Sequence, residues 1–114
     1  MITIYGIPNC DTMKKARRWL DANIVEYAFH DYKKLGVPEK NIKNWVKQAG
    51  WETVLNKRGT TWRKLDNKTR DTMDSDAAIK IMLENPSIIK RPVLESGKLL
   101  LIGFNEDEYK QLLK

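Results

Sequence analysis

The chain has 114 residues, of which 41% are hydrophobic and 32% charged, a size and composition typical of one soluble globular domain. Apolar runs stay well short of the roughly 18 residues that a membrane span needs, and the N-terminus lacks a secretory leader, so we expect a cytoplasmic protein with no membrane partner. The single cysteine excludes an internal disulfide, and the formal net charge of +6 favours anionic partners, although an excess of this size is usually solvated surface.

The first third of the chain predicts a strand, a helix and a second strand. Residues 2–5, "ITIY", alternate apolar and polar side chains before a glycine and a proline, which predicts a short strand that ends in a turn. Apolar residues then recur at helical spacing from Asp11, and Asn23 is expected to end this helix. The helix is expected to bury Met13, Ala16 and Leu20. The segment "IVEYAFH", residues 24–30, predicts the second strand.

The middle of the chain predicts helices. Pro38 is expected to open a helix that Gly50 ends. Shorter helices are expected around Trp51, around Trp62 and after Ser75, whose side chain is well suited to a helix cap. Because no strand pattern interrupts these helices, this part of the chain is predicted to be a helical insert.

Strand patterns return near the end of the chain. Residues 91–104, "RPVLESGKLLLIGF", predict two strands joined at Ser96-Gly97. Asn105 with Glu108 forms a pattern similar to a capping box at the start of a last helix. The predicted order is therefore β-α-β, a helical insert and then β-β-α, which is typical of an α/β fold.

Cys10 lies at the predicted junction between the first strand and the first helix. Unpaired N–H groups and the positive end of the helix dipole stabilise an anion at such a junction. These surroundings can lower a cysteine pKa from about 8.5 to roughly 3.5–7.5. An inert buried cysteine is the alternative, but the neighbours Pro8, Asn9 and Asp11 are not typical of an apolar core. We therefore expect a reactive thiol.

Four segments of the chain are distinctive when taken together. They are "YGIPNCDTMKKARRWL", "FHDYKK", "LNKRGTTWRKL" and "NPSIIKRPVL". In this order they resemble the arsenate-reductase-like family of the thioredoxin superfamily (ArsC, Spx and YffB proteins), and they are most similar to the YffB group. The resemblance implies a single domain over residues 1–114 with an α/β, thioredoxin-like core and a mixed sheet. The core is expected over about residues 1–32 and 87–114, and the helical insert between the second and third strands over about 33–86.

The resemblance to the YffB group implies a glutathione-dependent thiol-disulfide reductase with no bound cofactor. Cys10 matches the family's nucleophile, and Met13 stands where a Cys-x-x-Cys protein carries its resolving thiol. A monothiol enzyme of this kind forms a mixed disulfide with a disulfide or oxidised substrate, and an external thiol then resolves it. Glutathione is the expected co-substrate, and glutaredoxin is a further expected partner. Thr12 is expected either to offer its hydroxyl to the sulfur or to cap the helix.

The resemblance implies that three further residues bind glutathione. Arg58 and Arg91 match two arginines that bind the oxyanion in arsenate reductases. Their guanidinium groups suit arsenate and the carboxylates of glutathione equally well, so the residue type does not choose between these ligands. A solvated surface arginine is the alternative at each position. Pro92 matches the cis-proline that lies beside the cysteine in thioredoxin folds, and with Thr12 these residues form the expected glutathione site.

Two departures from the family pattern disfavour the alternative function, an arsenate reductase coupled to glutathione and glutaredoxin. Gly103 stands where an arsenate reductase is expected to supply a third arginine, and Gly6 stands where a histidine near the cysteine is expected. The remaining His30 is expected to be structural or to make a surface contact. With one cysteine and one histidine, the sequence offers no metal-ligand cluster, so no metal site is expected.

A transcriptional regulator is the alternative from another functional class. The resemblance to Spx implies RNA polymerase as the partner of such a regulator. The redox switch of Spx-like proteins uses Cys-x-x-Cys, which Met13 removes in this chain. Direct binding of nucleic acid is not favoured, because the four tryptophans are scattered over different predicted elements and Trp45 shares an apolar stripe.

Overall fold

The structure, a computed structural model, describes residues 2–113 and contains a four-stranded sheet. The strands are β1 (Ile2–Gly6), β2 (Ala28–Asp31), β3 (Val93–Ser96) and β4 (Leu99–Ile102). Their spatial order is β2-β1-β3-β4. Strands β1 and β2 are parallel, whereas β1 with β3 and β3 with β4 are antiparallel. The predicted mixed sheet is therefore confirmed.

The other regular elements of the described chain are helices. They are α1 (Asp11–Ala22), α2 (Tyr32–Leu35), α3 (Glu39–Ala49), α4 (Trp51–Val54), α5 (Thr60–Lys64), α6 (Asn67–Asp71), α7 (Ser75–Glu84) and α8 (Glu106–Tyr109), with 3-10 turns at Pro86–Ile88 and Lys110–Leu113. Helices α2 and α6 were not predicted. Within residues 2–113 no helix has both the length and the apolar character that crossing a membrane requires.

The chain divides into two compact units. The first unit combines the described residues of Met1–Gly36 with those of Arg91–Lys114, and it contains the whole sheet together with α1, α2 and α8. The second unit, Val37–Lys90, contains α3 to α7. That both units belong to one domain, with the insert at about residues 33–86, stays a prediction.

Helix α1 buries one face against the sheet of the first unit. Its apolar residues recur every three or four positions, which places them on one side of the helix. The three residues predicted to be buried there are inaccessible to solvent: Met13, Ala16 and Leu20. The same core cluster includes Ile4, Leu94, Leu101 and Tyr109. Cys10 is one of the partly buried side chains that pack against this cluster.

The end of α1 differs from the prediction. Asn23 is the C-terminal cap, as expected, but Ile24 follows it in the left-handed region with φ of 55°. The Val25 N–H donates to the Leu20 carbonyl at 2.9 Å, which is the six-residue bond of a Schellman motif. Because this turn occupies part of the segment predicted as a strand, residues 24–30, the prediction was too long, and β2 begins only after the turn.

The second unit is built around α3. Its fully buried side chains include Ile42, Trp45, Val54, Ala78 and Met82. Gly50, with φ of 88°, ends α3 as predicted. The prediction that Ser75 caps α7 is wrong by one residue, because the Asp74 carboxylate accepts the Ala77 N–H at 2.8 Å and Ser75 is the first helical residue. Aspartate and serine are both good caps, so the sequence alone does not choose between neighbours.

The last elements follow the predicted pattern. Gly97, with φ of 60°, forms the turn between β3 and β4 after Ser96. The side-chain oxygen of Asn105 accepts the Glu108 N–H at 3.2 Å, which confirms the predicted cap of the last helix. Tyr109 at the end of α8 is fully buried in the core of the first unit.

Candidate thiol site

Cys10 occupies the predicted strand-to-helix junction. It is the N-terminal cap residue of α1, with extended backbone angles φ of −135° and ψ of 127°. Its carbonyl accepts the Lys14 N–H at 2.9 Å, which is the first bond of the helix. The side chain is half-buried against the core cluster of the first unit. The sulfur is thus close to the positive end of α1 without being sealed in the core.

The surroundings of the Cys10 sulfur lower the pKa of the thiol. Partial burial is the largest single influence, and it raises the pKa because it disfavours the charged form. The Met13 N–H, the hydrogen bond and positive charge of the Arg91 guanidinium, and the Thr12 N–H act in the opposite direction. Together they outweigh burial, so a larger fraction of Cys10 is thiolate at neutral pH than in an ordinary cysteine.

The sheet explains why Arg91 meets Cys10. Arg91 and Pro92 directly precede β3, and Val93 at the start of β3 lies opposite Tyr5 near the end of β1. The Arg91-Pro92 peptide bond is cis, as the resemblance implied, and Pro92 is buried. The structure therefore brings Cys10, Arg91 and Pro92 to the same end of the sheet.

Thr12 contributes to this site through its backbone. The interpretation of Thr12 as the helix cap is wrong, because Cys10 is the N-terminal cap residue and Thr12 is the second residue of α1. The Thr12 N–H favours the thiolate of Cys10, as does the next N–H along the helix. A role for the Thr12 hydroxyl at the sulfur or in glutathione binding stays a prediction.

Gly6 and Met13 pack against one another beside the nucleophile. A β-carbon at position 6 would overlap the Met13 sulfur, and it would lie 3.0 Å from Cε and 3.3 Å from Cγ of the same side chain. Met13 is fully buried, so it has little room to move aside. Met13 therefore fills the space that a side chain at position 6 would need.

Gly103 has a backbone geometry that suits glycine. Its φ is 79°, in the left-handed region, and its N–H donates to the Pro92 carbonyl at 2.8 Å. A side chain at this position would be strained by about 1–2 kcal/mol. The position at which the resemblance implied a third arginine thus offers no cation, and it belongs to the backbone that holds the cis-proline segment.

Arg58 lies in the second unit, in the loop between α4 and α5. Its N–H donates to the Asn56 side-chain oxygen at 3.1 Å, which forms a local turn, and its side chain is exposed. Arg58 lines a pocket of about 420 Å³ together with Lys57 and Lys90. The Glu52 carboxylate lines the same pocket and pairs with the Lys57 ammonium, so Arg58 and Lys90 are the lining cations that suit an anionic group. The role of Arg58 in binding glutathione stays a prediction.

Sequence reasoning missed the residues that shape this loop, Asn56 and Lys57. The signal for the turn is present, because an asparagine three residues before Gly59 is typical of such turns. Lys57 has no signal of its own. Its Nζ lies 5.0 Å from the centre of the Trp51 ring and 5.8 Å from that of Trp62, contacts that no local pattern predicts.

The remaining candidates have structural surroundings. The His30 ring packs 5.0 Å from the Tyr5 ring, and its Nε2 lies 2.9 Å from the Gly36 carbonyl oxygen, as expected of a structural histidine. Trp45 is fully buried, and Trp19 contacts Tyr109 edge-on at 5.6 Å. Residues 2–113 contain no group of three or more histidine, cysteine or acidic side chains that is arranged to hold a metal ion.

Comparison with known proteins identifies the family. The family model described as the ArsC family matches residues 5–112, which is nearly the whole chain. The chain therefore belongs to the ArsC family. It is similar to a solved structure described as the YFFB protein, with 50% sequence identity, a TM-score of 0.95 and coverage of 100% of both chains. The resemblance to the YffB group and the thioredoxin-like fold are thereby confirmed.

Two further relatives carry functional descriptions. An arsenate reductase (ArsC) related protein from Brucella melitensis is 47% identical, with a TM-score of 0.80, over 99% of this chain and 94% of that one. The global transcriptional regulator Spx of Streptococcus pyogenes serotype M3 is 30% identical over 115 residues, which cover 99% of this chain and 85% of the regulator. The family thus suggests an oxidoreductase, and it also includes regulators.

Proposed function

We propose that the protein is a glutathione-dependent thiol-disulfide reductase in which Cys10 is the sole nucleophile. The observation that carries this proposal is the position of Cys10 at the start of α1, where the Met13 N–H and the Arg91 guanidinium favour its thiolate. A thiolate is the form that attacks a disulfide. Because the chain has one cysteine, the second thiol of the reaction must come from another molecule.

The proposed reaction has two exchange steps. The Cys10 thiolate attacks one sulfur of a substrate disulfide, the substrate S–S bond breaks, and the leaving thiolate takes up a proton. The thiolate of glutathione then attacks the substrate-derived sulfur of the mixed disulfide, and the Cys10 thiolate is released. One half of the substrate leaves as a thiol and the other half leaves joined to glutathione. A second glutathione thiolate then attacks the glutathione sulfur of that mixed disulfide in solution, which releases the other half of the substrate as a thiol and leaves oxidised glutathione, so two glutathione molecules are oxidised for each substrate disulfide reduced.

Arg91 has two parts in this proposal. In the free protein its guanidinium favours the Cys10 thiolate, so it contributes to nucleophilicity. During the second step it can also pair with a carboxylate of glutathione, as can Arg58, because both present a planar fork of donors. The cis Arg91-Pro92 segment leads into β3, and the backbone of glutathione is proposed to lie along it as an added strand.

The decisive experiment follows glutathione addition by intact mass after a pulse of oxidised glutathione. Wild-type protein should gain one glutathione, and Cys10→Ser should gain none and should lack activity in a glutathione-coupled disulfide reduction assay. Arg91→Ala should remain able to form the adduct while losing about 1.5–3 kcal/mol of glutathione capture, the size of one charge-assisted contact. Lys47→Ala, which removes an exposed cation of α3 that does not line the pocket at Arg58, is the control and should behave as wild type.

Two results would reject the assigned roles. Turnover by Cys10→Ser would show that the thiol is not the nucleophile. A glutathione dependence of Arg91→Ala equal to that of Lys47→Ala would show that Arg91 does not bind glutathione.

A transcription-associated binding function is the second candidate, supported by the 30% identity to Spx over nearly the whole chain. Met13 removes the second cysteine of a Cys-x-x-Cys switch, so redox control of that kind is not expected. Affinity capture from lysate with wild-type protein and with Cys10→Ser separates the two functions. RNA polymerase subunits held equally by both proteins would favour the regulator, whereas thiol proteins held only by wild type through disulfides would favour the reductase.

A further inference from the structure

The Lys57 side chain is flanked by groups from two helices of the second unit and remains 43% exposed. Its ammonium lies 3.1 Å from the carboxylate of Glu52 and 5.0 Å from the centre of the Trp51 ring, both in α4. It also lies 5.8 Å from the centre of the Trp62 ring in α5. Lys57 belongs to the loop that joins these helices, so its side chain connects the helix before the loop to the helix after it.

The backbone of the loop is fixed more firmly at its start than at its tip. The Asn56 N–H donates to the Ile88 carbonyl at 2.8 Å, and Leu55 forms an isolated β-bridge with Ile89. Beyond this point the Arg58 N–H bonds to the Asn56 side chain at 3.1 Å, and the Gly59 N–H bonds to the Asn56 carbonyl at 3.4 Å. Both of the latter bonds return to Asn56, and the Gly59 carbonyl accepts the Arg63 N–H of α5 at 3.3 Å. Between these two anchors, the side-chain contacts of Lys57 provide a further link from the tip to α4 and α5.

The charges of Lys57 and Arg58 are used differently. The Lys57 ammonium is paired with Glu52 and faces two aromatic rings, which attract a cation through their electron-rich faces. Within residues 2–113 the ion pairs found do not include the Arg58 guanidinium. Lys57 therefore contacts other groups of the second unit, whereas the Arg58 side chain is exposed to solvent.

We infer that Lys57 is a positioning residue that holds the loop so that Arg58 is presented to an anionic group of the substrate. The inference rests on the proposed function, in which that group is a carboxylate of glutathione. The positive charge is essential to this role, because a neutral side chain of the same length would lose both the ion pair and the attraction to the rings. Lys57 itself does not contact the ligand in this account.

The test compares Lys57→Met, which keeps the aliphatic stem, with Lys57→Arg, which keeps the charge. Lys57→Met should accelerate hydrogen exchange of the Arg58 amide by about three- to tenfold, the change expected for losing a modest cation–π contact and an exposed ion pair. It should raise the KM for glutathione by a similar factor, with kcat and the alkylation rate of Cys10 unchanged. Lys57→Arg should be close to wild type in every measurement.

A matched control and a double variant separate the inference from the function on which it rests. Lys47→Met removes an exposed lysine from α3 in the same unit and should change neither the exchange rate nor KM. In an Arg58→Ala background, Lys57→Met should have no further effect on KM. Unchanged exchange of the Arg58 amide in Lys57→Met would overturn the inference. Faster exchange together with a glutathione KM that Arg58→Ala does not alter would uphold the positioning and reject the glutathione-binding role of Arg58.

Discussion

The two units of this chain hold their candidate functional side chains by different means. In the first unit Cys10 and Arg91 lie at the ends of regular elements, α1 and β3, and backbone geometry fixes where they are. In the second unit Arg58 lies in a loop that is shaped by side chains, through the turn at Asn56 and the contacts of Lys57. Positions set by backbone follow from sequence pattern, whereas positions set by side-chain contacts between separate helices do not.

The largest expected effect concerns the backbone at Gly103. Because Gly103 supplies no guanidinium to the site, wild-type protein should reduce arsenate weakly or not at all, and Gly103→Arg, whose side chain must bear the strain of the left-handed region, should recover little of the activity. The measurement is arsenite formation with glutathione and glutaredoxin supplied. Gly103→Ala is the control for strain and should lower the free energy of unfolding by about 1–2 kcal/mol.

Robust arsenate turnover by wild-type protein would contradict this prediction, because it would show that the reaction does not need a guanidinium at position 103. Turnover gained by Gly103→Arg would do the same, since it would mean that the backbone accepts an arginine in place.

The contact between Gly6 and Met13 predicts a loss of stability when position 6 gains a side chain. Gly6→Ala places a β-carbon against the fully buried Met13 side chain, so the free energy of unfolding should fall by about 1–3 kcal/mol, as in other overpacked cores. Adding Met13→Ala should cost less in this background than in wild type, because it removes the overlap. Urea denaturation of the four proteins of this cycle measures the coupling, and strictly additive effects would show that the two residues do not compete for space.

Removing the turn at Asn56 in the second unit should cost less stability and should also change amide hydrogen exchange. Asn56→Ala removes the acceptor of the Arg58 N–H and should lower stability by about 0.5–1.5 kcal/mol while accelerating exchange of that amide. Asn44→Ala removes a hydrogen bond between exposed side chains on α3 and serves as the matched control. If both variants leave the Arg58 amide equally protected, the turn at Asn56 does not shape the loop.

The smallest predicted effect is a gain in stability at Ile24. A β-branched residue there adopts φ of 55° with 91% of its surface exposed, so it bears strain and gains little from packing. Ile24→Asn should raise the free energy of unfolding by up to about 1 kcal/mol, because asparagine tolerates the left-handed region better. Ile24→Ala removes the exposed side chain but keeps a β-carbon, and it should gain less. An equal gain in both variants would assign the effect to hydrophobic exposure instead of strain.

The sequence was informative wherever a period or a junction defined the structure. The buried face of α1, the turn after Ser96 and the placement of Cys10 before α1 all follow from local pattern. The strand predicted over residues 24–30 was too long, because a Schellman turn usually has glycine where this chain has Ile24. Without a glycine at position 24, the sequence carried no signal for the turn that follows Asn23.

Local sequence pattern predicted only part of the candidate site, namely the position of Cys10 before α1. The meeting of Arg91 with Cys10 needs the antiparallel pairing of β1 with β3, and its prediction came from the resemblance to a family. The overlap between Gly6 and Met13 depends on side-chain packing across the strand-to-helix junction, which the spacing of residues does not encode. Lys57 was missed because its partners lie in two separate helices.

The most direct test of the central claim is the pH dependence of Cys10 alkylation by iodoacetamide. The alkylation rate follows the thiolate fraction, so it should fall as the pH drops through the pKa of the thiol. The hydrogen bonds and charge at the sulfur lower that pKa, so the rate of the wild-type protein should reach half its maximum at a lower pH than the rate of free cysteine does. Arg91→Ala should move the midpoint upward, and Arg91→Lys should restore part of the shift. A wild-type midpoint at or above that of free cysteine would contradict the account.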